Sequence, residues 1–177
     1  SVVALGATFD VRIRVDTNGQ PVTEVYALLS FTTGDVEVMG ITDSAALGQM
    51  LSGGFDNVNG TVDYGALTAR AAPTGDFVLA TVRFKALAAT VETRIDLEDA
   101  YQRRTKASFE GIPVLRDLFG LGIVIVRLKG DADLNGTINI EDLRQVASIW
   151  GRPIDMRADL SGDGIVDIHD LVLVALH

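Results

Sequence analysis

The 177-residue chain has no cysteine, so neither a disulfide framework nor a thiolate metal site is open to it. Its two histidines are His169, inside a C-terminal loop, and His177 at the end, and no serine has a visible base partner. Carboxylate pairs suited to a glycosidase exist, but any acidic chain supplies them, so the expectation is a non-enzyme. Aromatics are sparse: Tyr26, Tyr64 and Tyr101 fall on separate predicted strands and form no flat face for a sugar ring. Basic residues are outnumbered, 15 against 24 acidic, leaving a net charge of −9 and no basic face to displace counterions from nucleic acid. The longest apolar run, Leu118 to Val126, is too short to span a bilayer. Ser1 opens directly into strand-like sequence without a leader, which reads as a processed, mature chain.

What the chain does have is a twelve-residue acidic loop that occurs twice, Asp131–Asp142 and Asp159–Asp170. In each, oxygen-bearing side chains stand at positions 1, 3, 5, 9 and 12, a glycine (Gly136, Gly164) at 6 and a β-branched residue (Ile138, Val166) at 8. This is the spacing of an EF-hand-type calcium loop. Calcium takes six to eight oxygens, and a short loop supplies them by folding alternate side chains inward and lending one carbonyl. The expected ligands of the first loop are Asp131, Asp133, Asn135, the carbonyl of Thr137, and Asp142. Those of the second are Asp159, Ser161, Asp163, the carbonyl of Ile165, and Asp170. Asn139 and Asp167, at position 9, would act through water. Two Ca2+ ions per chain are therefore expected. Asn135-Gly136-Thr137 is formally a glycosylation acceptor, but a glycan there would collide with the metal.

No helical pattern precedes either loop, and each ends in Asp rather than Glu, so each repeat is half an EF-hand. After the first, Leu143, Val146, Ala147 and Trp150 recur at helical spacing, with Gly151 and Pro153 closing the helix. By this pattern Trp150 belongs to the small module's core. After the second, Leu171, Val172, Val174 and Ala175 begin a similar helix. The loops start 28 residues apart, which reads as a duplicated loop–helix unit packed about a pseudo-dyad.

These repeats, their spacing and the Asp-Leu pair closing each loop (Asp142-Leu143, Asp170-Leu171) resemble the dockerin modules of cellulosome-type assemblies over roughly residues 130–177. The resemblance implies a calcium-dependent adaptor that docks onto cohesin domains, with partner choice at loop positions 10 and 11, here Ile140 and Glu141, Ile168 and His169. Ser161 departs from the usual Asn or Asp at position 3, and the final helix is short.

Charge explains why the metal would matter. Residues 130–177 hold nine acidic side chains against three arginines, a net of −6, whereas residues 1–129 carry −3. So small a segment buries too little apolar surface to confine repelling carboxylates unaided. At an affinity of ~10 µM and millimolar calcium, each site would add about 2.7 kcal/mol by mass action.

The first 128 residues alternate with a period of two. Phe9, Val11, Ile13 and Val15 interleave with charged residues, as do Val78, Ala80, Val82 and Phe84, and Val91, Thr93, Ile95 and Leu97. Val25–Phe31, Asp35–Ile41 and Gly122–Leu128 are further strands, separated by turns at Asn18-Gly19, Gly34-Asp35, Asn59-Gly60 and Gly75-Asp76. Many short strands with Gly-rich turns predict a mainly β fold, a β-sandwich, followed by a small α-helical module. The order of these strands is similar to that of cohesin domains, which implies a jelly-roll, cohesin-like sandwich over 1–128 and a dockerin over 129–177.

Two functions fit. One is a non-catalytic extracellular assembly protein that binds protein partners, including another copy of itself, and builds head-to-tail filaments or arrays. The other is a secreted accessory or carbohydrate-binding domain of a polysaccharide-degrading system whose loops staple it internally. From Val126 to Asp131 only four residues intervene, without a Pro- or Ser/Thr-rich tether, so the modules are expected to sit close and at a fixed angle. Ser1–Leu5 is a candidate donor for strand addition to another chain.

Overall fold

The computed structural model describes residues 1–150 and 158–176. Among them the chain forms eleven strands and two helices: β1 (Val2–Ala4), β2 (Thr8–Asp16), β3 (Glu24–Phe31), β4 (Val36–Asp43), β5 (Gln49–Asp56), β6 (Thr61–Leu67), β7 (Asp76–Ala86), β8 (Thr90–Leu97), β9 (Lys106–Phe109), β10 (Ile112–Pro113), β11 (Leu121–Val126), α1 (Ile140–Ser148) and α2 (Ile168–Ala175). The strands make two sheets. The larger has the order β1-β11-β8-β3-β6-β5, with β9 and β10 added beside β3, and the smaller is β2-β7-β4.

Alternation makes the sandwich. Along β3, Val25, Ala27, Leu29 and Phe31 are buried while the residues between them are half-exposed, because successive side chains of a strand point to opposite faces. On the facing sheet Ala80, Val82 and Phe84 of β7 are shut off from solvent. Phe84 lies between two rings, stacked on Phe9 at 5.7 Å and edge-on to Phe31 at 5.5 Å. Tyr64 is buried with its hydroxyl hydrogen-bonded to Asp43, which satisfies the one polar atom that would otherwise count against it.

Three expectations are revised. Ser1–Leu5 is no free donor strand: Val2–Ala4 pairs in parallel with Val124–Val126 of its own sheet, and the Ser1 amino group donates to the Gly122 carbonyl. Tyr101 lies in the connection after β8 rather than on a strand, fully exposed. Trp150 is half-exposed, and Ala147 is exposed. Leu143 and Val146 turn inward from α1, and Ile149 takes the core place expected of the tryptophan. The closing residues Gly151 and Pro153, and His177, lie outside the described residues.

The C-terminal segment has its own apolar centre. Ala132, Val146, Ala158, Val166 and Val174 are buried together, flanked by Ile138, Leu143, Ile149, Leu160 and Leu171. The β-branched residue at position 8 of each loop, Ile138 or Val166, thus plugs the junction between loop and helix. No helix among the described residues is long and apolar enough to cross a membrane.

Candidate metal-binding loops and docking face

Both loops are built on one hydrogen-bonded frame that repeats position by position. In the first, Asp142 is fully buried; its Oδ1 accepts from the amides of Ala132 (2.8 Å) and Asp133 (3.2 Å), and its Oδ2 from Asn139 (2.7 Å). In the second, Asp170 is likewise buried and accepts from Ser161 (2.8 Å) and Asp167 (2.8 Å). The position-12 carboxylate therefore pins positions 3 and 9 in each repeat. The position-1 carboxylate pins position 6: Asp131 accepts from Gly136 at 2.9 Å and Asp159 from Gly164 at 2.8 Å. Those glycines have φ of 85° and 88°, a conformation a Cβ resists, which is why glycine stands there twice.

The same carboxylates start the helices. Asn139 and Asp167 are N-caps, each accepting from the amide two residues on, and Asp142 and Asp170 reach back to the cap amides to complete capping boxes. Loop closure and helix initiation are thus one event, carried by position 12.

The loops differ in how their acids gather. Carboxylate oxygens of Asp131, Asp133 and Asp142 lie within 4.8 Å of one another, a compact all-oxygen set suited to a hard divalent cation. Asn135 stands beside them, its Nδ2 donating to Asp133 and its Oδ1 accepting from the Thr137 amide at 2.8 Å. In the second loop the cluster within 4.8 Å is Asp163, Asp167 and His169. Ser161 donates its hydroxyl to Asp159 at 3.3 Å, and Asp163 accepts from the Ile165 amide at 2.9 Å. His169, expected on the partner face, has its Nδ1 3.0 Å from Asp167, so it borders the loop while its ring stays exposed.

Electrostatics follow from burial. Desolvation raises the Asp131 carboxyl above the usual carboxylate range; amides from Gly136 and Asn135 oppose this, and the neighbouring Asp142 charge adds to it. Burial pushes Asp170 the same way, but amides from Asp167 and Ser161 outweigh it and hold that carboxyl below its ordinary value.

The four residues expected at the docking face are all at the surface. Ile140 and Ile168 are exposed, Glu141 is exposed and paired with Arg144 at 3.1 Å, and His169 is exposed. Beyond them the two repeats diverge. In the second, Ile165, Ile168, Val172 and Leu176 make an exposed apolar stripe. The residues 28 positions earlier are Thr137, Ile140, Arg144 and Ser148. Aligning the repeats residue by residue, rather than by their ligands alone, would have shown this asymmetry in the sequence.

No protein-family model matches the chain, and no curated protein does. Solved structures do. The third cohesin ScaC of Acetivibrio cellulolyticus, solved in complex with the ScaB dockerin, is similar at a TM-score of 0.60 and 17% identity, over 71% of this chain and 94% of that one. A non-cellulosomal cohesin from the archaeon Archaeoglobus fulgidus matches at 0.58 and 17% identity, over 71% of this chain and 86% of its own. A type I cohesin–dockerin complex from Clostridium thermocellum matches at 0.56 and 11%, over 71% of this chain and 93% of the matched chain. The β-sandwich thus has a cohesin-like fold.

Proposed function

We propose that the chain is a non-catalytic, extracellular assembly protein that joins protein partners through a cohesin-type sandwich and a calcium-loaded, dockerin-type pair of loops. The observation that carries this reading is the frame repeated at both loops, in which a buried position-12 carboxylate and a position-1 carboxylate, buried in the first loop and half-buried in the second, organise the backbone around a cluster of oxygens, attached to a cohesin-like sandwich. Two of the solved structures similar to that sandwich are complexes with dockerins, which supports a protein as the partner.

When bound, calcium would supply the positive charge that lets these acids lie together. The chain's residues do the rest. Asp131, Asp133, Asn135, Asp142 and the Thr137 carbonyl would hold one ion, and Asp159, Ser161, Asp163, Asp170 and the Ile165 carbonyl the other. Asp142 and Asp170 transmit loop order to α1 and α2 through the capping boxes. Ordered helices present Ile140 and the stripe Ile165, Ile168, Val172 and Leu176 to a partner. Millimolar calcium, an extracellular condition, would fill loops of ~10 µM affinity to about 99%.

Because sandwich and loops sit on one chain, the second copy is a natural partner, and association between unlike surfaces leads to open arrays. Light scattering on the full chain over a range of concentrations, in calcium and in chelator, tests this. Growth in mass with concentration, reversed by chelator, is expected of self-assembly; a calcium-stabilised monomer shifts the partner to a separate cohesin-type or dockerin-type protein. A chain whose mass and shape ignore calcium overturns the proposal.

A further inference from the structure

β1 runs parallel to β11, with Ala4 opposite Val126, so the turn after β1 and the linker after β11 leave the sandwich at the same end. That turn, Leu5-Gly6-Ala7, crosses from the larger sheet to the smaller and is held by both: Leu5 N–H donates to Val126 (2.7 Å), Gly6 N–H to Ala86 (3.0 Å), and the Ala7 carbonyl accepts from Ala86 (3.0 Å). It is a rigid seat, and the first acidic loop rests on it.

The contact is backbone against backbone. A Cβ on Gly6 would overlap the carbonyl oxygen of Leu134, and one on Gly136 would stand 2.5 Å from the Ala7 nitrogen and 2.6 Å from its Cα. Gly6 and Gly136 also have positive φ, 82° and 85°. Leu134 itself has φ of 59°, a conformation costly for a leucine, which aims its carbonyl at Gly6. The second loop carries the matching glycines Gly162 and Gly164, at φ of 79° and 88°, and a Cβ on either would meet nothing within 4 Å. The repeats are alike in backbone and differ in that only the first is seated. On the other side, Gly130 tucks the linker under Ile138 and the Leu173 carbonyl, 3.2 and 3.3 Å from its would-be Cβ.

We infer that Gly6-Ala7 is a docking seat for the first loop, fixing the angle between the two modules and positioning the residues of the first metal site but not the second. The inference rests on the calcium reading for its effect on affinity, whereas the seat itself is tested without metal. Since Leu134, Asn135 and Gly136 span positions 4 to 6, a seat that fixes their backbone sets where Asn135 points and where Asp131 finds its amide partners. Among the described residues the second site has no such support, and the apolar stripe of its helix is exposed.

Calcium titration calorimetry on the full chain tests this, with Asp159→Ala used to leave the first site alone and Asp131→Ala to leave the second. Gly6→Ala is expected to weaken the first site at least about fivefold, the lower end of ordinary coupling between sites, and to leave the second within about twofold. Gly111→Ala, at a sandwich glycine with φ of 81° and nothing near its would-be Cβ, is the strain control and should change neither. If Gly6→Ala fails to fold, Gly136→Ala is compared with Gly164→Ala, equal in φ but unequal in contact; the first should lose more affinity at its own site. Equal losses, or a Gly6 variant that spares the first site, overturn the inference. Solution scattering in chelator supplies the arm without metal: the profile of Gly6→Ala should be broader than that of wild type under the same conditions, and identical profiles contradict the seat. Absence of calcium binding in every chain would defeat the calcium reading and leave the scattering result to judge the seat.

Discussion

Asp142→Ala removes the group on which the first repeat turns. Its carboxylate accepts three amide hydrogens, from Ala132, Asp133 and Asn139, and it is wholly buried. A buried donor left without a partner costs about 1–3 kcal/mol, and Ala132 is fully enclosed while Asp133 and Asn139 reach water, so one full penalty and two partial ones apply. Loss of half a capping box belongs to the same bonds and is not added again. The expected destabilisation in chelator is about 2–4 kcal/mol. In millimolar calcium the variant also forgoes one ion's mass-action stabilisation, about 2.7 kcal/mol at a hundredfold excess over Kd, so its deficit against wild type should widen. Trp150, the single tryptophan and half-exposed beside α1, reports on this module in a urea titration. A variant that unfolds with wild-type midpoints in both conditions would refute the reasoning; a deficit that is the same with and without calcium would keep the hydrogen-bond argument and refute the ligand assignment.

Other outcomes follow from the same geometry. Ile140→Asp with Ile168→Asp should leave calcium binding intact and abolish partner docking, measured by light scattering or by pull-down with a purified cohesin; surviving docking places the face elsewhere. Val172→Asp should impair docking more than Arg144→Asp, because only the former interrupts an apolar stripe, and equal effects would mean the two repeats are used alike. On acidification the first loop should release calcium at a higher pH than the second. The Asp131 carboxyl is raised by burial and so takes a proton sooner, whereas Asp170 is held low by its amides and stays ionised longer; site-resolved titration in the Asp159→Ala and Asp131→Ala chains checks the order. Asp10→Ala, on the solvent face of β2 and paired with Arg83 at 2.9 Å, should leave the denaturation midpoint unchanged.

The sequence made the sandwich legible wherever one face of a strand is buried and the other wet. β2 and β3 alternate cleanly, whereas β7 loses step where Leu79 and Ala80 are both buried and Val91, expected on the inner face of β8, is exposed; the spans of all four agree with the expectation to within a few residues. It did not show β5, whose residues Gln49 to Phe55 are all exposed on the sheet's edge, so no alternation was imposed on them. β6 was foreshadowed only by its turn at Asn59-Gly60, since Gly65 and Ala66 beside Tyr64 blur the period. The three residues of β1 carry too little pattern to name a partner strand, and its parallel pairing with β11 is a long-range fact. The positions of the acidic loops and of both helices were legible because glycine, carboxylate and β-branched residues recur at fixed offsets. Burial of Leu143 but not Trp150 was not legible: both lie on one helical stripe, and only the width of the partner surface decides where the stripe leaves the core. Nor could spacing reveal that Gly6 meets Leu134, a contact between residues 128 positions apart.

The account stands or falls on whether the two loops hold calcium. Equilibrium dialysis of the full chain against calcium should give two ions per chain, falling to one in Asp131→Ala and one in Asp159→Ala. A chain that binds no calcium, or single variants that still bind two ions, would contradict it.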